Sequence, residues 1–373
     1  MTRVPLSILD LAPISAGGDA ATALRNTIEL AQHAERWGYR RFWIAEHHFV
    51  AVASAAPAVL IGQIAAATNT IRVGSAAVQL SHTTAAAVVE SFGMLDAFYP
   101  GRIDLGLGRS GQRRITKPRS PKPPPPEPHR EWREVEGVVI PPPFDLRALL
   151  GSGRVQATMS ILQQPEAVAP DFAEQLGDIM AMLSGTYEVG GFDVHAVPGE
   201  GAALTPWIFG SSRGRSAQMA GARGLPFVAS YHLTPSTALG AIDAYRDAFV
   251  PSAALERPHV VVSADIVVAD DTATAKHLAS SYGHWVYSIR AGGGAIPYPD
   301  PDECAPLTDE QLAVVIDRLA TQFVGEPDEV AERLETLQRA TGADELVITS
   351  VTHRHQDRLR SHELIAKRWG LSG

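Results

Sequence analysis

A carboxylate and two imidazoles stand in a row at Glu46-His47-His48, directly after the apolar run Phe42-Trp43-Ile44-Ala45. An imidazole titrates near neutrality, so this cluster could hold or pass a proton. The same residues also fit a polar pair satisfying each other at a strand end. A metal site is a third reading, but one short cluster without a matching partner set is poor support for it. Arg109 is the second candidate, inside Gly106-Leu107-Gly108-Arg109-Ser110-Gly111. That run formally matches the dinucleotide-binding glycine fingerprint, which needs a helix to open there; a basic segment and a proline run follow instead. The better reading is a guanidinium gripping phosphate oxygens in a bidentate way. The plain alternative is a surface ion pair with Glu90.

Gly210-Ser211-Ser212-Arg213-Gly214-Arg215-Ser216 is the third stretch. Small hydroxyl residues between a strand and a helix supply N–H groups and hydroxyls to an anion, and two arginines favour phosphate. Serine capping of the helix is the competing explanation. Gly74-Ser75-Ala76-Ala77 ends another strand with small side chains, suited to a flat ring or to a small-residue barrel layer. Trp285, Tyr287 and Tyr298 flank a loop and read as pocket walls or as satellite packing. His353 and His355 follow the last strand.

These residues need a scaffold that gathers strand ends on one face. Strand-like runs begin near residues 6, 42, 71 and 103, with helical spacing between them at 23–37, 57–67 and 85–98. Prolines then crowd residues 111–145, which excludes a helix or central strand and suggests extended polyproline and loop. A helix at 171–183 and a hairpin at 186–197, centred on Gly190-Gly191, precede further strands near 206, 226, 260 and 345. Helices are expected at 214–222, 235–249, 272–290, 308–323, 327–340 and 355–369. Eight strand–helix units imply an α/β fold, a (β/α)8 TIM barrel with insertions after strands four and seven. Residues 1–373 form one domain on this reading. Residues 111–200 make the first insertion, 281–306 the second, and the proline-rich segment and the 291–306 loop are lid candidates.

The chain has 373 residues, 45% of them hydrophobic, and a net charge of −9, so no basic surface for nucleic acid is implied. One cysteine, Cys304, excludes an internal disulfide and fits a reducing compartment. No run is long and apolar enough for a membrane span, and the N-terminus lacks a secretory pattern. A cytoplasmic protein is the expectation.

With these residues placed, the chain resembles the bacterial luciferase-like flavin monooxygenases, closest to their single-subunit alkanal-monooxygenase-like branch. The likeness runs through Leu9-Asp10-Leu11-Ala12-Pro13, Ala45-Glu46-His47-His48, Ile71-Arg72-Val73-Gly74-Ser75, Pro100 to Arg109, Trp207 to Ser212 and Gly224-Leu225-Pro226-Phe227. It implies reduced FMN as cofactor, or F420 in some branches, with O2 as co-substrate. It makes His47 the catalytic imidazole and Ser75, Ala76, Glu90, Arg109, Gly210, Ser211, Ser212, Arg213 and Ser216 the cofactor-binding residues, Glu90 orienting Arg109. A non-prolyl cis peptide would fall at Ser75-Ala76. His48, His82 and Trp285 would border the substrate, and no metal is implied. A separate reductase would deliver the flavin, and a homodimer is implied by resemblance alone. One departure stands out. Relatives continue with a Leu-Pro-Asn-His-Ala-Pro type segment where this chain has Leu80-Ser81-His82-Thr83-Thr84-Ala85, its imidazole one place earlier. The rival readings are an F420-dependent oxidoreductase on the same barrel and a non-catalytic flavin-binding homologue.

Overall fold

Eight parallel strands pair side by side and close on themselves in the computed structural model, which describes residues 3–109, 131–145, 149, 152–164, 167 and 170–372. They are β1 (Leu6–Asp10), β2 (Arg41–Ile44), β3 (Arg72–Ser75), β4 (Ile103–Gly108), β5 (Pro206–Gly210), β6 (Phe227–Ala229), β7 (Val260–Val268) and β8 (Glu345–Thr349). This is a (β/α)8 barrel, with every expected strand present. Outside it lie α1 (Ala20–Arg36), α2 (Pro57–Ala67), α3 (Ala85–Phe98), α4 (Gly153–Ile161), α5 (Phe172–Leu183), α6 (Arg215–Ala222), α7 (Pro235–Asp247), α8 (Thr272–Ala279), α9 (Tyr282–Arg290), α10 (Asp309–Thr321), α11 (Pro327–Thr341) and α12 (His355–Trp369). Local chemistry sets several boundaries. Asp19 caps α1 by accepting from Thr22 N at 2.7 Å, and Thr84 caps α3. Gly342 closes α11 in the left-handed region at φ 56°.

The insertions differ from expectation in detail. Residues 272–290 are two helices, broken at Ser280-Ser281. The helix expected to reach Phe323 stops at Thr321, and Phe323–Gly325 instead pairs with the upper half of β7. The late part of the proline-bearing segment holds a hairpin, Arg133–Val135 with Val138–Ile140. Its turn residues Glu136 and Gly137 both have positive φ, at 50° and 84°, the pair a two-residue hairpin turn requires. The Tyr231 hydroxyl donates to Val139 O at 2.8 Å and pins that hairpin to the barrel. The proline cluster at 118–128 lies outside the described residues. The second hairpin forms at Glu188–Val189 and Phe192–Asp193 around Gly190-Gly191, as its glycines suggest.

Strand alternation sorts side chains inward and outward. Leu6, Ile8, Phe42, Ile44, Leu105 and Ile208 pack outward with the helices; Leu9, Trp43, Trp207, Val228, Val261 and Val347 fill the interior. At the N-terminal end, Arg41 pairs with Asp104 at 3.0 Å and Glu345 at 3.2 Å, and lies 4.6 Å from the Trp207 ring centroid. Ser7 donates to Glu345 at 2.5 Å, and Arg72 adds a second cation to Asp104. Removing one member of a buried charge network leaves the others uncompensated. Arg41→Leu is therefore expected to lower unfolding free energy by about 3–5 kcal/mol in urea titrations; a loss below about 1 kcal/mol would show that the layer is solvated.

Candidate active site

The polar ends of β2, β3 and β6 meet at the C-terminal mouth of the barrel. Glu46, buried at the tip of β2, is the hub. One carboxylate oxygen meets His48 Nε2 at 2.8 Å, and the other accepts from the Gln79 backbone N–H at 3.0 Å. The Gln79 amide donates back to Glu46 O at 2.6 Å, and its oxygen faces His82 Nε2 at 3.0 Å. The His48 and His82 rings stand edge to face, 5.7 Å apart. The loop carrying His82 is held from the first insertion, where Gln175 donates to Leu80 O at 2.9 Å and Gln163 to Ser81 O at 2.9 Å.

His47 follows Glu46 into this mouth. Removal from water, and secondarily the nearby His48, lower its pKa to about 4. His232, beyond the end of β6, meets it electrostatically. Its Nδ1 lies 2.5 Å from Ser263 Oγ on β7, and burial, Arg318 and His47 push its pKa down to about 3. The sequence reading passed over His232. Its place just past a strand tip was the available signal, but the Tyr231-His232 pair carries no motif.

The structure distributes the other candidate residues unevenly. Ser75 is fully buried, and its hydroxyl exchanges hydrogen bonds with Gly106 O at 2.8 Å and Gly106 N at 3.0 Å. It thus joins β3 to β4, while Ala76 packs over the Trp43–Trp207 interior. The non-prolyl cis peptide is Ala76-Ala77, one bond beyond the expected Ser75-Ala76. Arg109 and Glu90 are both exposed, and among the described residues no ion pair joins them. Glu90 lies on α3.

In the loop after β5, Ser211 O accepts from Thr234 at 3.2 Å and from Thr237, which fixes the loop's path. Arg215 pairs with Asp171 at 3.0 Å and Arg213 lies 3.9 Å from Asp247, so both guanidinium groups have carboxylate partners on neighbouring helices. The serine-capping reading does not hold: α6 begins after Gly214 with no side-chain cap. Its first backbone N–H groups, beside Ser212 and Ser216, are therefore available to an anion. Trp285 is buried in a satellite core with Tyr282, Val286, Tyr298, Val315 and Val351. The 291–306 loop is anchored by Tyr298, whose backbone exchanges hydrogen bonds with Ile14 O at 2.8 Å and Ala16 N at 2.9 Å. Among the described residues no group of three His, Cys, Asp or Glu is placed for a metal ion, and no helix is long and apolar enough to cross a membrane.

Histidines and an uncapped helix N-terminus lie at the C-terminal mouth of a parallel barrel, the end where such barrels carry their active sites. Comparisons carry this further. The family model for luciferase-like monooxygenases matches residues 4–139 and 167–345. The chain is 36% identical to the uncharacterized protein YvbT of Bacillus subtilis strain 168, covering 98% of this chain and 96% of that protein. It is 32% identical to a luciferase-like monooxygenase of Escherichia coli strain K12, covering 97% and 96%. The apo-MsnO8 crystal structure superposes with a TM-score of 0.77 at 30% identity, covering 100% and 99%. The chain belongs to the luciferase-like monooxygenase family. The same fold recurs at 19% identity, over 98% of this chain and 97% of that one, in the oxygenating constituent of 3,6-diketocamphane monooxygenase from Pseudomonas putida, solved with FMN (TM-score 0.61). At 12% identity, over 98% and 99%, it recurs in an F420-dependent secondary alcohol dehydrogenase (TM-score 0.60).

The histidines predict a pH response. In the folded chain His47 and His232 have pKa values of about 4 and about 3, against 6.5 ordinarily. The unfolded chain therefore binds more protons in this window. Their contribution to stability is complete above pH 6.5 and declines as pH falls toward the folded values. The urea midpoint is expected to drop steadily between about pH 6.5 and pH 4, and to drop less in a His232→Asn variant. A pH-independent midpoint across that range would contradict the assignment.

Proposed function

We propose that the protein is a flavin-dependent monooxygenase using reduced FMN and O2 to oxygenate a small organic substrate. The observation that carries this reading is the uncapped N-terminus of α6, opening beside Gly210, Ser211 and Ser212 at the same barrel end as the histidines. A phosphate fits such an opening, and Ala76 supplies a small residue beside it for a planar ring. In this reading Ser211, Ser212 and Ser216 bind phosphate with the α6 N–H groups. Arg109 contributes charge at the rim, and Arg213 acts through its place on the loop. Reduced FMN, when bound, supplies the electrons; one oxygen atom goes to the substrate and the other leaves as water. His47 offers a neutral imidazole near neutral pH, placed in this reading to donate its N–H to the reacting oxygen and relay the proton that the departing water needs. Glu46 holds His48 at the substrate side. The flavin arrives reduced from a separate reductase, and the protein works in the cytoplasm.

A homodimer accompanies this reading. On the neighbouring helices α2 and α3 the large apolar side chains Val59, Met94 and Phe98 are 69%, 52% and 71% exposed, and in this reading the partner subunit covers them. Phe98→Glu is expected to convert a dimer into a monomer in sedimentation velocity, and no change in mass would contradict it.

F420 in place of FMN is the second reading, supported by the F420-dependent fold neighbour. The deciding experiment is oxygen uptake by purified protein given chemically reduced FMN or reduced F420. FMN-dependent uptake, lowered about 10²- to 10⁴-fold in His47→Gln, is expected. Oxygen-independent hydride transfer from reduced F420 alone would favour the alternative. Tight FMN binding without oxygen consumption across a substrate panel would indicate a non-catalytic flavin binder.

A further inference from the structure

We propose that Gln79 is a positioning residue that locks His82 in one tautomer, and that Glu46 and Gln79 together engage the Nε2–H groups of His48 and His82 and leave their Nδ1 atoms to the barrel mouth. The proposal deepens the monooxygenase reading by assigning the side of the mouth that meets the organic substrate. Its structural part stands without that reading.

Donor and acceptor bookkeeping carries it. The Gln79 amide nitrogen donates to Glu46 O at 2.6 Å, so the other end of that amide is the oxygen. An amide oxygen only accepts. The His82 Nε2 lying 3.0 Å from it must therefore carry a hydrogen. In a neutral ring, Nδ1 is then the bare nitrogen; the Ser81 hydroxyl lies 3.4 Å from both ring nitrogens, so Gln79 alone sets the tautomer. Glu46 applies the same logic to His48. One carboxylate oxygen already takes the Gln79 backbone N–H at 3.0 Å, and the other faces His48 Nε2 at 2.8 Å, which must donate.

The two rings differ in what surrounds them. His48 has a carboxylate against its Nε2. Among the described residues, His82 has the Gln79 amide, the Ser81 hydroxyl and, 5.7 Å away, the ring of His48. Burial, and secondarily the charge of His48, lower its pKa. The backbone reinforces the arrangement: His82 N donates to Gln79 O at 3.0 Å, closing a turn that brings the His82 ring over the Gln79 side chain. This chain carries its imidazole one place earlier than the Leu-Pro-Asn-His-Ala-Pro pattern, and that turn with Gln79 ties the displaced ring to Glu46. With both Nε2–H groups engaged, the acceptor nitrogens left on the neutral rings are the Nδ1 atoms of His82 and His48. Such a pair suits an organic substrate that donates hydrogen bonds through N–H or O–H groups.

The test is ¹⁵N NMR of the full chain labelled at histidine, with the His82 signals assigned by their loss in His82→Gln. At pH 7.5 the parent should show His82 as the Nε2–H tautomer, with separate pyrrole-type and pyridine-type nitrogen shifts. Gln79→Met keeps the side-chain length but removes the amide, and should collapse those shifts toward the average of two exchanging tautomers. Gln79→Glu keeps an acceptor oxygen opposite His82 and should retain the Nε2–H pattern. An unaltered His82 pattern in Gln79→Met, or an Nδ1–H tautomer in the parent, would overturn the proposal. The oxygen-uptake assay is separate. No flavin activity in a parent showing the expected tautomer would sink the monooxygenase reading and leave the lock standing.

Discussion

The indole of Trp43 divides the barrel. It stands edge-on to Trp207 and Phe209, with centroids 5.5 Å and 5.4 Å away. It has room only because its neighbours lack side chains: a Cβ on Gly74 would lie 2.6 Å from the indole, and one on Gly106 only 1.8 Å from Ser75 O. Neither contact is tolerable in a close-packed interior. Below this plug, a charge layer of Arg41, Asp104 and Glu345 is sealed from the mouth. Above it lie the small residues and imidazoles of the C-terminal end. One packing solution therefore separates the stabilising end of the barrel from its reactive end, the division expected of this fold.

That division explains what the sequence made legible. Each barrel strand is a short, largely apolar buried run, as in Phe42 to Ala45, so all eight were readable by composition. Glycines marked the hairpin at 190–191 and the C-terminus of α11 at Gly342. The elements that escaped depend on distant partners. Phe323–Gly325 becomes a strand because β7 outlasts the barrel and offers a free edge. The hairpin at Arg133–Ile140 is short and sits within a proline-bearing segment, and Tyr231 secures it from far along the chain.

The site shows the same contrast. The Glu46-His47-His48 cluster and the loop after β5 were visible as residue types at strand ends. Their working parts were less so. Arg213 and Arg215 read as phosphate-side cations, and their exposed pairing with Asp247 and Asp171 was not legible from the loop's composition. The opening of α6 depends on an absence at Gly214 that composition cannot express. Gln79 and His232 carry no motif and acquire meaning only through Glu46 and Ser263, residues brought near by barrel closure.

The account rests on an anion bound at the uncapped start of α6, and the difference in affinity between FMN and riboflavin measures that contact directly. Gly214 has φ −83°, which any residue can adopt, so Gly214→Asp would cap the helix and set a carboxylate where the phosphate belongs. Fluorescence titration should show parent protein binding FMN at least about tenfold more tightly than riboflavin. In the variant, that preference should vanish while riboflavin affinity and thermal stability hold. An FMN preference that survives the added carboxylate would contradict the placement of the cofactor.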